Sequence, residues 1–309
     1  YKVHDVMRDL AFYILQIDGG TSPAQQLALY QAGQNLTEFP PKWITECKQL
    51  LKARRLSLHQ NKLETLPSTF CAPELLTLLL GDNKISDVPA GFLKGIQNLR
   101  VLDLSHGYFR DLPEELGNLK HLVYLNLSRC SFLQQLPESI ENLQMLRNLN
   151  LSSCGGLRYL PSGLLGLESL QVLHTTWCTQ LRWAEHICTE MFPWDTDMAE
   201  SFTREAEAKR VSLENISRFK VLTHLRIEGD NCQHVLLPDN IYALTKLEDL
   251  RLYRFCNLKS LPAWMPDFKK LRSLSVICCD CLERLPDSFT CCGAFPALIE
   301  FKIEGCENL

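Results

Sequence analysis

The sequence predicts an α/β solenoid, a horseshoe whose concave side is a parallel sheet of short strands and whose outer side is helical turns. Three observations carry this. The pattern Leu-x-x-Leu-x-Leu recurs in ten regular or less regular copies, with middle positions at 56, 78, 102, 125, 149, 173, 225, 250, 274 and 301. Eight of the nine spacings lie between 22 and 27 residues, the self-similarity of a stacked repeat. A turn residue stands five places after most of these positions, and a Leu-Pro return path follows it.

Each part of the unit has a mechanical reason. Leu99-Arg-Val-Leu102-Asp-Leu104 and Leu122-Val-Tyr-Leu125-Asn-Leu127 alternate apolar and polar residues, the period of a strand with one face buried. The turn slot holds Asn61, Asn83, Cys130, Cys154, Cys178, Cys279 and Cys306, which accounts for five of the fourteen cysteines as small buried residues with a weak donor. Return paths such as Pro113/Leu116/Leu119/Leu122, Pro137/Ile140/Leu143/Leu146, Pro161/Leu164/Leu167/Leu170 and Pro238/Ile241/Leu244/Leu247 place apolar residues at every third position. That spacing suits a 3₁₀ or short α-helical turn begun by proline. Ten strands at ~4.8 Å span about 45 Å of concave face. No coil buries its own core, so stability comes from neighbours and the ends need caps.

Taken in chain order, residues 3–15 read as a helix, with Val3, Val6, Met7, Leu10 and Ile14 on one face. Residues 1–17 form a front segment, and 18–52 a linker and N-terminal cap containing Phe39-Pro40-Pro41-Lys42-Trp43-Ile44. Residues 53–309 are the array of about ten repeats. Between Leu173 and Leu225 the spacing stretches to 52, and residues 183–208 carry seven acids against Arg204 alone. This −6 insertion leaves +2 on the rest of a chain whose net charge is −4, and it is expected to project as a loop. A sharper expectation lays it over Arg226, Arg251 and Arg254, occluding them until a partner displaces it. Leu309 aligns with Leu133, Leu157, Leu258 and Leu282, so the last repeat is expected to be truncated and the chain to be part of something longer.

Composition excludes several function classes. A net charge of −4 gives no general attraction to nucleic acid or an anionic membrane. The densest apolar run, Leu75–Leu80, is far short of the ~20 residues that span a bilayer. No secretory signal opens the chain, and the cysteines do not form paired caps, which points to an intracellular protein. The sequons at Asn35, Asn126, Asn150 and Asn215 carry little weight there, two of them being the strand consensus itself. Cys278-Cys279-Asp280-Cys281 with Cys291-Cys292 lacks paired metal-ligand spacing, and Cys279 is a turn residue, so no metal is assigned. No catalytic residue is assigned, and no separate catalytic domain accompanies the repeats.

The unit, over residues 53–309, resembles the leucine-rich repeat, in which the turn residue points inward and bonds the backbone of adjacent coils. Val3-His4-Asp5-Val6-Met7-Arg8-Asp9-Leu10-Ala11 resembles the Met-His-Asp signature that closes the nucleotide-binding module of plant NLR immune receptors, with Val3 in the place of Met. The resemblance implies that residues 1–17 are the remnant of a winged-helix subdomain. It implies that His4 approaches the β-phosphate of ADP and that Asp5 holds the resting loop. The chain has no G-x-x-x-x-G-K-S/T, so these two cofactor-binding positions are vestigial here, with ADP or ATP belonging to the full-length parent.

Between the buried leucines, the concave row reads Ser57, Leu79, Asp103, Asn126, Asn150, His174, Arg226, Arg251, Ser275 and Lys302, neutral to acidic first and basic later. Flanking positions add Tyr124, Arg129, Trp177, Tyr253 and Arg254. Aromatics and arginines are the residue types enriched at binding hot spots. Tyr124, Arg129, His174, Trp177, Arg226, Arg251, Tyr253 and Arg254 are therefore the expected partner-binding residues. The resemblance implies a sensor and autoinhibitory region that recognises a pathogen effector or a modified host protein and contacts the nucleotide-binding module intramolecularly. The other reading is a stand-alone cytosolic repeat scaffold that adapts signalling proteins.

Overall fold

The computed structural model describes residues 27–41, 50–181, 213–229, 237, 239–291 and 293–309. The expected helix over 3–15 with His4 and Asp5, the Lys42-Trp43-Ile44 half of the cap, the acidic insertion at 183–208, Pro238 and Cys292 lie outside them.

The ten expected strands are β2 (Ala53–Ser57), β3 (Thr77–Leu79), β4 (Val101–Asp103), β5 (Tyr124–Asn126), β6 (Asn148–Asn150), β7 (Val172–His174), β8 (His224–Glu228), β9 (Asp249–Tyr253), β10 (Ser273–Ile277) and β11 (Glu300–Glu304). An eleventh, β1 (Leu27–Tyr30), precedes them inside the segment read as linker and cap. Its Leu-Ala-Leu-Tyr lacks the leading leucine of the repeat, which is why the pattern search passes over it. All eleven form one parallel sheet in chain order.

Register places the repeat positions in straight rows. Leu29, Leu56, Leu78, Leu102, Leu125, Leu149, Leu173, Leu225, Leu250, Leu274 and Phe301 are successive partners across the sheet. From Leu56 to Leu274 this row is buried. Full burial of one such side chain contributes about 1.5–3 kcal/mol, and each leucine obtains it only from the coils on either side.

On the outer side, Glu114–Asn118, Glu138–Asn142 and Ser162–Gly166 are 3₁₀ helices, each preceded by a proline (Pro113, Pro137, Pro161) at φ −71, −67 and −67°. Proline is pre-set for this φ and has no N–H to leave unpaired. Leu116, Leu119 and Leu122, with their counterparts Ile140, Leu143 and Leu146, turn inward and are buried. One coil differs, with an α-helix, α1 (Ala90–Lys94), after Pro89.

A single left-handed residue closes every strand but β8. Gly33, Gln60, Asp82, His106, Arg129, Ser153, Trp177, Arg254, Cys278 and Gly305 all have φ between 51 and 68° and all stand four places after the middle position. Their N–H groups extend the ladder beyond the strands: Asp82 N donates to Ser105 O, His106 N to Ser128 O, Arg129 N to Ser152 O and Ser153 N to Thr176 O, at 2.7–3.0 Å. The left-handed turn sends the next side chain inward, into the ladder slot.

In that slot, Asn83 Nδ2 donates to Leu58 O at 2.9 Å and Leu80 O at 2.8 Å, while its Oδ1 accepts from Leu63 N at 3.0 Å. Asn61 makes the equivalent bonds to Gln31 O, Leu58 O and the Gln34 and Leu36 N–H groups. Cys130, Cys154 and Cys178 continue the ladder with Sγ to Leu104 O, Leu127 O and Leu151 O at 3.3, 3.0 and 3.0 Å. Cys279 departs from it, its Sγ reaching Ile277 O of its own turn at 3.6 Å. Gly107 fills the slot where the Phe109 ring takes the space, since a Cβ there would stand 2.1 Å from Phe109 Cε1.

Candidate functional site

Two rows of side chains face the concavity, one on each side of the leucine row. The second contains Ser57, Leu79, Asp103, Asn126, Asn150, His174, Arg226, Arg251, Ser275 and Lys302 as successive partners. Its polar members are largely buried, however, because in-register strands ~4.8 Å apart pack identical positions flank to flank. Asp103, Asn126, Asn150 and His174 are all below a tenth exposed.

The row satisfies itself by a repeated local bond. Asp103 Oδ1 accepts from Ser105 N at 2.9 Å, Asn126 Oδ1 from Ser128 N at 3.1 Å, and Asn150 Oδ1 from Ser152 N at 3.0 Å. Asn126 Nδ2 also donates to Asp103 Oδ1 at 3.1 Å. Burial raises the Asp103 pKa against the opposing effect of these bonds.

At β7 an imidazole takes the place of the carboxamide. The Nε2 of His174 has no hydrogen-bond partner among the described residues. Burial, with Arg226, His224 and Arg251 nearby, holds its imidazole well below the ordinary histidine pKa, so it is neutral.

The next two strands bring the arginines together. Asp249 accepts from Arg226 Nη2 at 3.2 Å on one oxygen and from Arg251 Nε at 3.2 Å on the other. Burial opposes the Arg251 charge, but Asp249 raises its pKa on balance. Arg254 Nη1 lies 3.6 Å from Glu228 Oε1, and Glu228 also accepts from the Trp177 N–H. Burial raises the Glu228 pKa despite these partners. Trp177 is 41% exposed and its ring centroid lies 6.3 Å from that of Tyr253.

The structure therefore gathers six of the eight expected partner-binding residues: His174, Trp177, Arg226, Arg251, Tyr253 and Arg254. Arg129 stands apart on the exposed rim, and Tyr124 lies in the first concave row on β5. The expectation that these positions all present surface needs correction. Tyr124 at 1% and Tyr253 at 6% exposure, with His174, are walled in by their row neighbours. The basic stretch is also partly neutralised, because Asp249 and Glu228 sit among its three arginines.

Sequence reasoning passed over a second cluster at the rim. His59 Nε2 is 3.2 Å from Asp82 Oδ2, His106 Nε2 is 3.2 Å from Asp82 Oδ1, and Arg129 Nη1 is 3.3 Å from the same His106 nitrogen. Burial lowers the His106 pKa, with Asp82 opposing and Arg129 assisting. These residues sit three or four places after the middle leucine of successive coils, a signal visible only once the left-handed turn is recognised. Tyr108 and Phe132, 50% and 52% exposed, stack edge to face at 5.5 Å on the neighbouring turns.

Among the described residues no group of three or more His, Cys, Asp or Glu side chains is placed to hold a metal. No helix among them is long and apolar enough to cross a membrane.

A family model described as a leucine-rich repeat region matches residues 86–286. The probable disease resistance protein At4g27220 of Arabidopsis thaliana is 38% identical over 135 residues, covering 43% of this chain and 14% of that protein. Disease resistance protein UNI of the same plant is 35% identical over 130 residues, covering 42% and 14%. The chain thus spans a small part of the curated relatives it matches. Among solved structures, the functional domain of InlJ from Listeria monocytogenes, which includes a cysteine ladder, matches with TM-score 0.59 and 18% identity, covering 92% of this chain and 54% of that one. The ectodomain of the Arabidopsis receptor kinase HAESA, in complex with a peptide hormone, matches with TM-score 0.55 and 19% identity, covering 92% and 49%. These two show the shared fold. This chain belongs to the leucine-rich repeat family, and its repeat region is homologous to that of plant disease resistance proteins.

Proposed function

We propose that the chain is the sensor and autoinhibitory region of an intracellular plant immune receptor, acting in the cytoplasm without catalytic chemistry of its own. Residues 1–17 are the end of the receptor's winged-helix subdomain, 18–52 a linker and cap, and 53–309 the sensing array. Its concave face and rim recognise a pathogen effector or a modified host protein. The same array contacts the nucleotide-binding module and biases its ADP/ATP switch. The observation that carries this reading is the homology of the repeat region to disease resistance proteins, and Val3–Ala11 adds to it.

The mechanism is a population shift. A ligand that prefers the open receptor moves a closed, ADP-bound population only by its differential affinity for the two forms. About 5.5 kcal/mol of such preference takes the switch from 1:99 to 99:1. The arginines gathered on β8 and β9 suit such a ligand because a guanidinium forms directional, charge-assisted bonds.

The test is the reading frame upstream of Tyr1. A G-x-x-x-x-G-K-S/T module there supports the receptor. A start codon with no such module overturns it and leaves a cytosolic repeat scaffold.

A further inference from the structure

The polar row of the concave sheet changes character at β7. On β4, β5 and β6 the side chains of Asp103, Asn126 and Asn150 are occupied by backbone N–H groups of their own turns. On β7, β8 and β9 the same row holds His174, Arg226 and Arg251, partners in register. His174 is buried, with an Nε2 that meets nothing among the described residues. Arg226 and Arg251 share one carboxylate, that of Asp249. Arg251 also bonds the Tyr253 side chain, and two guanidiniums on one carboxylate and one phenol still leave donors to spare, since each carries five N–H groups. Over these strands and the turn that follows β9, Arg226, Arg251 and Arg254 outnumber Asp249 and Glu228 by one charge, and Trp177 stands exposed at the rim beside Tyr253.

We propose that the concave sheet across β7 to β9 binds an acidic segment of a protein partner, one of whose carboxylates enters between Arg226 and Arg251 and shares them with Asp249. Charge complementarity selects the occupant. The planar fork of arginine matches a carboxylate with two parallel bonds. The neutral His174 imidazole lies on the floor of the row without adding a charge. Asp249 then has a second role: it keeps the two arginines oriented while empty, and it competes with the incoming carboxylate. The proposal rests on the reading of the concave face as a partner surface, and it specifies the chemistry of that partner.

The experiment uses the whole chain and fluorescence anisotropy with a labelled hexaglutamate peptide, hexaglutamine serving as the neutral control. Hexaglutamate is expected to bind and hexaglutamine not to. Arg226→Gln with Arg251→Gln is expected to weaken hexaglutamate binding at least about tenfold, whereas Lys94→Gln with Lys120→Gln, the same charge change on the flank of the outer turns, shifts it less than twofold. Asp249→Asn, which removes the internal competitor, is expected to tighten it several-fold. That single variant keeps the test decisive should the double arginine variant fail to fold. Absence of hexaglutamate binding, equal weakening in the two double variants, or weaker binding by Asp249→Asn overturns the proposal. None of these outcomes bears on the upstream reading frame, so failure here and failure of the receptor reading are separately visible.

Discussion

The thiol of Cys154 donates to the carbonyl of Leu127, 3.0 Å away and one coil back. Cys130 and Cys178 do the same for Leu104 and Leu151. The cysteines thus continue the ladder that Asn61 and Asn83 begin, and their chemistry is that of a packed, bonded core group. Burial pushes the Cys130 thiol up to about 12, and those of Cys154 and Cys178 upward as well.

In the native protein, Cys71, Cys278 and Cys291 are exposed and are expected to react with maleimide, whereas Cys130, Cys154 and Cys178 stay unmodified until the array unfolds. Only the thiolate attacks, and burial removes both access and thiolate. Mass spectrometry of peptides after timed labelling, with and without denaturant, reads this out. Early labelling of Cys154 in the folded chain contradicts the ladder.

Asn83→Ala leaves Leu63 N–H and Leu80 C=O without their side-chain partner, while Leu58 C=O keeps its bond from Asn61 Nδ2. A buried backbone group left unsatisfied costs about 1–3 kcal/mol, so the variant is expected to lose at least about 2 kcal/mol. Because stability in a solenoid is shared between neighbours, the loss should centre on the coils of β2 to β4. Hydrogen exchange of those strands, compared with β9 and β10, checks it.

Ser153 adopts φ 64° while its N–H serves Thr176 O. A side chain in the left-handed region costs roughly 1–2 kcal/mol that glycine does not bear. Part of that gain is offset by the greater freedom of glycine in the unfolded chain. Ser153→Gly is therefore expected to be neutral to stabilising, and Ser153→Val to destabilise by more than about 1 kcal/mol. Urea midpoints of the two variants give the comparison, and equal midpoints would contradict the turn.

His174 has a folded pKa well below its ordinary 6.5, first through burial and then through Arg226, His224 and Arg251. The unfolded chain then binds the extra proton as pH falls through about 6.5. Its contribution is complete above that pH and is lost below it, at up to about 1.4 kcal/mol per pH unit until the folded pKa is reached. The melting temperature should fall between pH 7 and 5. His174→Asn, which copies Asn126 and Asn150, should flatten that slope. A slope unchanged in the variant excludes His174 as its source.

In a full-length receptor, substitution of Asp5 is expected to loosen the resting state and raise activity without ligand. Resting activity equal to that of the parent protein, measured in a cell-death assay, removes the role proposed for this residue.

The repeat was legible in the sequence because leucine spacing reports a burial that every coil repeats. The positions from Leu56 to Leu274 read off the chain are the buried row of the sheet, and the prolines at 113, 137 and 161 begin the outer turns as their spacing requires. β1 was not legible, since Leu27–Tyr30 joins the sheet by pairing with β2 and not by carrying the full motif.

The sequence by itself determined the period, the direction of stacking and which leucines form the core, since these follow from local alternation and solenoid geometry. Only the tertiary structure decided which concave residues are available. Tyr124 and Trp177 are both aromatic and both lie within four residues of a middle leucine, yet one is walled in by its row and the other is carried to the rim by a left-handed turn. Likewise Asp249 and Arg226 are 23 residues apart in the chain and become partners only because consecutive coils place their strands side by side. Burial along a strand is set by local pattern, whereas exposure and charge pairing across strands depend on register between coils.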